Sequence, residues 1–203
     1  MNSSKIHLSP EELQLVQNAG LLLTKNVIIE KVYALFGELA SELQQSSIYS
    51  TSNLPSEILN MGPKISRGEK YKGLPYVMLD YPRSFGKEDI FAVRTFFWWG
   101  NFFSVTLHLK GKYQQLFIPS LQKQIAFLAA NNFQLCVAGE EWEHDLSDGN
   151  YIPLSISNNT IAEIDLVSKP FYKLTSRLEL HQWNEMNERL LGLQRVIGNA
   201  IAG

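Results

Sequence analysis

The chain is poor in cysteine, in charge and in long apolar runs. Among its 203 residues there is a single cysteine, Cys136, which excludes a disulfide scaffold and a cysteine-rich metal site. Its longest apolar runs, such as residues 125–130, have five or six residues, whereas a membrane-spanning helix needs about 20. The first residues also lack the apolar core of a signal peptide. We therefore expect a cytoplasmic protein without a membrane segment, in which Cys136 is a buried thiol.

An excess of basic residues is also missing. Eighteen Lys and Arg stand against twenty Asp and Glu, which gives a net charge of −2, and charged residues make up only 19% of the chain. A dedicated nucleic-acid-binding domain usually has a strong basic excess, so that class is disfavoured. The chain does have 45% apolar and 11% aromatic residues, which a disordered protein lacks. Its length predicts one domain over 1–203, and without a phosphate-binding glycine motif we expect no cofactor.

The N-terminal part predicts a helical arm over about 9–45. Residues 9–12 read Ser-Pro-Glu-Glu, the order of an N-cap, a first-turn proline and a capping-box glutamate. Apolar residues then recur with a period near 3.6, which fits either a helical hairpin or one long helix, with a break or bend at Gly20. The Ser- and Thr-rich residues 46–56 predict a loop between this arm and a body over 62–203. Because the arm is so apolar, we expect it to pack on the body.

The body predicts an antiparallel sheet with a helical excursion and a closing amphipathic helix, so the fold class is α+β. Gly100 and Asn101 separate two of the strands and favour a tight hairpin. The predicted strands are Leu74–Tyr81, Ile90–Trp99, Phe102–Lys110, Phe133–Ala138 and Phe171–Leu180. The predicted helices are Leu121–Asn131, Thr160–Ser168 and Asn184–Ala200.

A two-residue loop at Gly100 and Asn101 sets the pairing of the hairpin. Counting outwards from it places Arg94 opposite Leu107 on a nearly apolar face, which should lie on the core. A guanidinium in such a place needs a carboxylate, several carbonyls or a bound anion. Asp80 is the nearest carboxylate in sequence, so a structural bridge to Asp80 and an anion-binding pocket are the two interpretations. The opposite face would then hold His108 with Thr95, Thr106 and Ser104, as a polar cleft or as a half-exposed sheet surface.

Two segments of opposite charge stand out. Residues 62–94 carry seven Lys and Arg against four acids, interleaved with aromatic residues, which is a weak pattern for phosphate or single-stranded nucleic acid. Residues 140–168 carry seven acids and no Lys or Arg. Within 140–145, Glu143, His144 and Asp145 could serve a hydrolase, with or without a metal, although their spacing matches no metal motif. The alternative is that the two segments complement each other within the fold or between subunits.

The sequence names no reaction, and whether the protein is an enzyme stays open. Our first interpretation is a non-catalytic domain that binds a small anionic ligand or a protein partner through the basic and aromatic surface around 62–108. The alternatives are a hydrolase using residues 140–145 and single-stranded nucleic-acid binding through 64–94. A further alternative concerns the aromatic hairpin tip. Its rings are either a contact between copies in a homo-oligomer or buried under the N-terminal helices of the same chain. The candidate ligand-binding residues are Arg94, His108, Lys64, Arg67, Arg83, Thr95, Thr106 and Trp99.

Overall fold

The computed structural model describes residues 6–50, 52, 54–147, 149–154 and 169–202. The predicted helix Thr160–Ser168 lies outside these residues. No helix in the described ranges is long and apolar enough to cross a membrane. The helices are α1 (Pro10–Gln17), α2 (Ala19–Gln45), α3 (Ser56–Leu59), α4 (Lys112–Lys123), α5 (Ile125–Ala130) and α6 (Met186–Ala202), the last preceded by a 3-10 turn over Leu180–Glu185. The strands are β1 (Lys64–Tyr71), β2 (Leu74–Phe85), β3 (Ile90–Trp98), β4 (Phe102–Lys110), β5 (Gln134–Cys136), β6 (Tyr151–Pro153) and β7 (Tyr172–Glu179).

The predicted α+β class is confirmed, with helices at both ends of the chain and a central antiparallel sheet. The seven strands lie in the order β1-β2-β3-β4-β7-β5-β6, and every neighbouring pair is antiparallel. Strands β5 and β6 reach the sheet through β7, so the C-terminal part of the chain extends the sheet that the central hairpins begin. The thiol of Cys136 on β5 is buried, as the sequence predicts.

The capping box predicted at the start of the arm is present. The Ser9 hydroxyl accepts a hydrogen bond from the Glu12 amide at 3.1 Å, and the Glu12 carboxylate accepts one from the Ser9 amide at 2.7 Å. The break between α1 and α2 falls at Asn18 and not at Gly20, because the Asn18 side chain accepts a hydrogen bond from the Leu21 amide and caps α2. The expected packing of the arm on the body holds for α2, whose buried residues begin at Ile29, but not for α1, which has no buried residue.

The central hairpin turns through three residues and not two. Trp98 pairs with Phe102, which leaves Trp99, Gly100 and Asn101 in the loop, and Gly100 has a φ of +73°. One added loop residue moves every β4 side chain to the opposite face from the predicted one. Arg94 therefore lies opposite Thr106 and shares a face with His108, and the predicted pairing of Arg94 with Leu107 was wrong.

Helices α2, α4 and α6 cover one face of the sheet, where the main core lies. On β4, Phe103 and Leu107 are fully buried on this side, and Phe103 packs edge-on against Phe36 of α2. Thr95 also faces the helices, where its hydroxyl accepts a hydrogen bond from the Gln194 side-chain amide at 2.9 Å. Thr95 therefore does not share a face with Thr106 and His108, which corrects the predicted polar face.

The structure also differs from the prediction at strand β1, at the start of helix α4 and at strand β6. Strand β1 was not predicted, because its charged residues hide the alternation of apolar and polar side chains that marks a strand. A turn at Lys72 and Gly73, both of which have a positive φ, connects β1 to β2. The sequence predicted a helix that starts at Leu121, but α4 begins nine residues earlier, at Lys112, and contains Pro119. Burial of Tyr113, Phe117 and Ile118 outweighs the destabilising effect of the proline. The short strand β6 was also missed.

Candidate functional site

The face of the sheet away from the helices carries charged and polar side chains from four neighbouring strands. Their alternation along each strand brings Asp80 of β2, Arg94 of β3, His108 of β4 and Lys173 of β7 to the same side, and all four are at least nine-tenths buried. Residues 140–146, which we call the covering loop, pass over them. A buried polar layer therefore lies between the sheet and this loop.

Arg94 and Asp80 form a bidentate ion pair at the centre of this layer. Nε of Arg94 donates to Oδ1 of Asp80 at 2.7 Å and Nη2 donates to Oδ2 at 3.0 Å. The guanidinium carbon lies 5.7 Å from the centre of the Trp142 ring and 6.0 Å from that of the Phe85 ring. The bridge between Arg94 and Asp80, which was one of the two interpretations from sequence, is therefore present, and the rings hold the guanidinium plane in place.

His144 turns inward from the covering loop toward the ion pair. Nη1 of Arg94 lies 3.1 Å from Nε2 of His144. Burial, followed by the positive charges of Lys173 and Arg94, lowers the pKa of His144 well below its ordinary range. The imidazole is therefore neutral, and because Arg94 is an obligate donor, Nε2 accepts and Nδ1 carries the hydrogen.

The covering loop is attached to the sheet through its main chain. Nζ of Lys173 donates to the carbonyl oxygens of Glu141 at 3.0 Å and Glu143 at 2.5 Å. The hydroxyl of Tyr71 accepts from the amides of His144 at 2.8 Å and Asp145 at 3.0 Å, and it donates to the Glu143 carboxylate at 2.6 Å. Lys173 is fully buried, and burial is the main cause that lowers its pKa to about 8.

His108 lies deeper, beside Trp142 and Lys173. Burial, with the positive charges of Lys173, Arg94 and Lys110, lowers its pKa to about 3. Its Nε2 has no hydrogen-bond partner among the described residues, and the nearest carboxylate oxygen, Oε2 of Glu141, is 3.8 Å away. At that distance the carboxylate does not form the hydrogen bond that would compensate for burial, so the histidine is neutral.

An open cleft of about 490 Å³ lies between the covering loop and the end of the β1–β2 hairpin. This volume is within the range of small-molecule sites in proteins, roughly 300–1,000 Å³. We call it the aromatic cleft, because four of the ten residues that line it are aromatic. The lining residues are Tyr71, Lys72, Tyr76, Met78, Arg94, Phe96, Glu140, Trp142, Glu143 and His144.

Charges of opposite sign meet at the rim of the aromatic cleft. Nζ of Lys72 lies 2.8 Å from Asp145 and 3.2 Å from Glu143. Although burial opposes it, hydrogen bonds from Tyr71 and Lys72, among others, lower the pKa of Glu143, and bonds from Lys72 and Ser147 do the same for Asp145. The two segments of opposite charge thus meet at Lys72, whereas Arg67 and Arg94 of the basic segment pair with Glu30 and Asp80 outside the covering loop.

Of the eight candidate ligand-binding residues, only Arg94 lines the aromatic cleft. His108 and Thr106 lie directly behind it, around a small closed gap beside Lys173, and Thr106 is within 2.9 Å of the Thr175 hydroxyl. Arg67 pairs with Glu30 of α2. The other four residues lie elsewhere: Lys64 is exposed at the start of β1, Arg83 donates to the Gly62 carbonyl, Thr95 faces the helices, and Trp99 is half-buried at the hairpin tip.

The three residues proposed for a hydrolase or a metal site do not converge on a common point. Glu143 and Asp145 both bind Lys72 at the rim, whereas His144 faces Arg94 inside. Within the described ranges, no group of three or more His, Cys, Asp or Glu side chains is arranged to hold a metal ion.

Sequence reasoning missed most of the aromatic cleft. Tyr71, Tyr76 and Trp142 line it, and Lys173 supports it from behind, but none of the four was singled out as a site residue. The available signal was the turn at Lys72 and Gly73, which predicts a hairpin and would have placed Tyr71 beside the sheet. Lys173, which stands between the apolar residues Tyr172 and Leu174 of β7, was a second signal for a buried charge.

No family model, no curated protein sequence and no solved structure matches this chain. The functional argument therefore depends on the geometry of the site.

Proposed function

We propose that the protein is a binding domain whose aromatic cleft takes a small ligand with an aromatic body and an anionic group such as a carboxylate. The observation that carries this proposal is the state of Arg94. Three of its five N–H groups are used, two by Asp80 and one by His144. The other two, one on Nη1 and one on Nη2, belong to a guanidinium that lines an open cleft, and N–H groups of this kind are the donors that carboxylates pair with in proteins.

Groups next to Arg94 also favour a hydrogen-bond acceptor of the ligand at this wall of the aromatic cleft. The hydrogen on Nδ1 of neutral His144 is a further donor on the same wall of the cleft. Asp80 neutralises Arg94, whereas Glu143 and Asp145 together outweigh Lys72 by one negative charge, so the anionic group would be held by directed hydrogen-bond donors and not by a net positive field. Such a wall favours moderate affinity and orients the ligand by hydrogen bonds.

The rings of the cleft support an aromatic or other flat apolar body. Phe96 and His144 are nearly stacked, with ring centres 5.0 Å apart and planes 30° apart. Tyr71 meets both of these rings edge-on or at a tilt, and Trp142 at the mouth is 41% exposed. An exposed Trp beside a donor wall is a suitable cover for a flat ligand, because ring stacking adds about 0.5–1.5 kcal/mol to burial of apolar area.

The alternatives from sequence have weaker support. A hydrolase needs a free base beside a nucleophile, and Glu143 and Asp145 are both committed to Lys72. Nucleic-acid binding needs free cations along a surface, whereas four of the seven Lys and Arg in 62–94 are engaged by acceptors of this chain: Arg67, Lys72, Arg83 and Arg94.

The test is a titration of the labelled protein, followed by NMR, with three probes that share one ring: phenylacetate, benzyl alcohol and benzylamine. We expect phenylacetate to bind most tightly and benzylamine most weakly, with amide shifts centred on Phe96, Trp142 and His144. Two results would contradict the proposal: tightest binding of benzylamine, or no binding of any probe in the cleft.

A double variant separates the donors from the rings. Asp80→Leu with Arg94→Met removes the buried pair as a unit, a replacement that folded proteins commonly tolerate. Phenylacetate should then lose about tenfold or more in affinity, the value of charge-assisted hydrogen bonds, whereas benzyl alcohol should change little. Trp142→Ala should weaken all three probes alike, and Leu116→Ala, at an exposed position of α4, is the control that should change none.

A further inference from the structure

The start of the chain exposes an unusual amount of apolar surface. We call residues 6–28 the exposed segment, because none of its residues is buried. It comprises α1 and the first ten residues of α2. Nine of its large apolar residues are about half or more exposed: Ile6, Leu8, Leu13, Leu15, Val16, Leu21, Leu22, Leu23 and Val27.

These residues do not form a single stripe. Leu21, Leu22 and Leu23 are consecutive, and at 100° per residue they spread over more than half of the helix circumference. A helix that packs on one surface needs only one apolar stripe, whereas a helix that is apolar on most sides is normally enclosed. The exposed segment therefore has the composition of a helix inside a bundle, not of a helix lying on its own domain.

The exposed segment continues directly into a part of α2 that is packed on the body. Ile29, Val32 and Phe36 of α2 are buried in the main core. Beside them, Lys25 pairs with Glu69 and Arg67 pairs with Glu30, so two ion pairs fix α2 to strand β1. Lys25 still contacts β1, so residues 19–24 of α2, about 9 Å of helix at 1.5 Å per residue, extend beyond this contact with the sheet. The helix carries its apolar residues away from the body in a defined direction.

We propose that the exposed segment is a dimer contact that packs against the same segment of a second copy of this chain. The nine apolar residues expose on the order of 900 Å² per copy, which is close to the roughly 800 Å² that each partner contributes to a stable interface. A two-fold dimer uses the same patch on both copies, so one apolar segment is sufficient for both sides.

The charges of the segment favour a protein partner over a lipid surface. Lys25 is the one charged residue between Leu13 and Ile28, and it is held by Glu69. The remaining charges are the acids Glu11 and Glu12 at the start of α1. Helices that lie on membranes usually carry several Lys or Arg on their polar side, which attract anionic lipids, and this segment lacks them.

The hairpin tip, which was the oligomer contact considered from sequence, does not offer a comparable surface. Trp98, Phe102 and Phe103 are buried within the chain, and Trp99 is half-buried. The exposed segment lies on the N-terminal helices, so this inference is independent of the ligand proposed for the aromatic cleft.

The first test is the mass in solution, measured by sedimentation equilibrium over a wide range of concentration. The parent chain should sediment at twice the 23.1 kDa of one copy. Val16→Glu with Leu22→Glu should reduce the association constant by about a hundredfold or more, because it places charges in an apolar contact. Leu116→Glu with Phe127→Glu changes two exposed residues of α4 and α5 and should leave the mass unchanged. Circular dichroism should show both variants folded, since none of these positions is in the core.

A cross-linking test uses the single buried cysteine. Cys136 is 2% exposed, so a thiol placed in the exposed segment is the accessible one. In the series Leu15→Cys, Val16→Cys, Leu22→Cys and Leu23→Cys, mild oxidation should produce a disulfide-linked dimer from at least one variant, and none from the parent or from Leu116→Cys.

Three results would overturn the proposal. The first is a parent chain that is monomeric at every concentration. The second is a dimer that the paired glutamates do not weaken, which would place the contact elsewhere. The third is a monomer that sediments with phosphatidylcholine and phosphatidylserine vesicles, which would make the segment a lipid contact.

Discussion

Along strand β4, neighbouring side chains point to opposite faces of the sheet, and the two sets differ in chemistry. Phe103, Val105 and Leu107 face the helices and are fully buried among other apolar side chains. Thr106 and His108 face the covering loop and are as deeply buried, but beside Arg94 and Lys173. Burial is therefore similar on the two faces. What differs is the interaction that stabilises the buried side chains: apolar packing on the helix face, and ion pairs and hydrogen bonds on the loop face.

On the helix face, exclusion of water from apolar surface supplies the stability, and it needs no particular partner for each atom. On the loop face, each buried charge or polar group needs a specific acceptor or donor. Arg94 donates to Asp80 and to a ring nitrogen of His144, and Lys173 donates to two carbonyl oxygens of the covering loop. The helix face should therefore dominate overall stability, and the loop face should determine sensitivity to pH and the shape of the aromatic cleft.

The largest expected effect comes from two neighbouring phenylalanines on opposite faces. Phe103→Ala should lower the free energy of unfolding by about 4 kcal/mol, because it leaves a cavity among Phe36, Phe97 and Trp183. Phe102→Ala should lower it by roughly half as much, since Phe102 belongs to a smaller aromatic cluster, on the loop face at the turn between β3 and β4. Urea denaturation of both variants measures the difference, and equal losses would contradict the contrast between the two faces.

Acidification should lower the free energy of unfolding mainly through the buried histidines of the loop face. The pKa of His108 is about 3 in the folded chain and near 6.5 when unfolded, so as pH falls the unfolded state takes up the proton first. The stability that depends on neutral His108 is present above about pH 6.5 and is lost as pH falls toward 3. Between pH 7 and pH 4.5 this amounts to roughly 2.5 kcal/mol.

Urea denaturation at a series of pH values tests this loss. His108→Gln should flatten the dependence, although His144, whose pKa is lowered in the same direction, should leave part of the slope. His181→Gln, at an exposed histidine, should reproduce the parent curve. If His108→Gln has the full slope of the parent, the buried histidine is not the cause.

The smallest effect should follow from loss of one hydroxyl. Tyr71→Phe keeps the ring packed against Phe96 and Trp98 but removes the oxygen that binds two covering-loop amides and the Glu143 carboxylate. We expect about 1–2 kcal/mol of lost stability. Hydrogen exchange should become faster at the amides of His144 and Asp145, while Tyr76→Phe, at a neighbouring ring, should leave both protected. Unchanged protection in Tyr71→Phe would show that this attachment is not needed.

Sequence patterns were sufficient for the central strands and for the fold class. β4 was predicted with the bounds it has, and β3 and the final helix within two residues, because apolar periodicity and turn residues are local signals. The register of the hairpin was not predictable from Gly100 and Asn101 alone. One residue more or fewer in the loop reverses every side chain of β4, and this is decided by which face of the strand the helices cover.

The aromatic cleft was harder to predict for a different reason. Its two walls come from the turn near residue 72 and from the covering loop, about seventy positions further along the chain, and a single sequence gives no information on which distant segments meet. Arg94 was found because a charge in an apolar strand needs a partner wherever it lies. Tyr71 and Trp142 have no such local anomaly, since aromatic residues are common in strands and turns alike.

The attachment of the covering loop has a consequence for how the cleft can change. Lys173 and Tyr71 bind carbonyl oxygens and amides, which every amino acid supplies, and only Glu143 adds a side-chain bond to Tyr71. The side chain of Glu140, which lines the cleft, can therefore be exchanged without loosening the loop, whereas Trp142 also packs against Arg94 and His108. A library randomised at position 140 alone would therefore sample new ligand preferences while the attachment of the loop to the sheet stays the same.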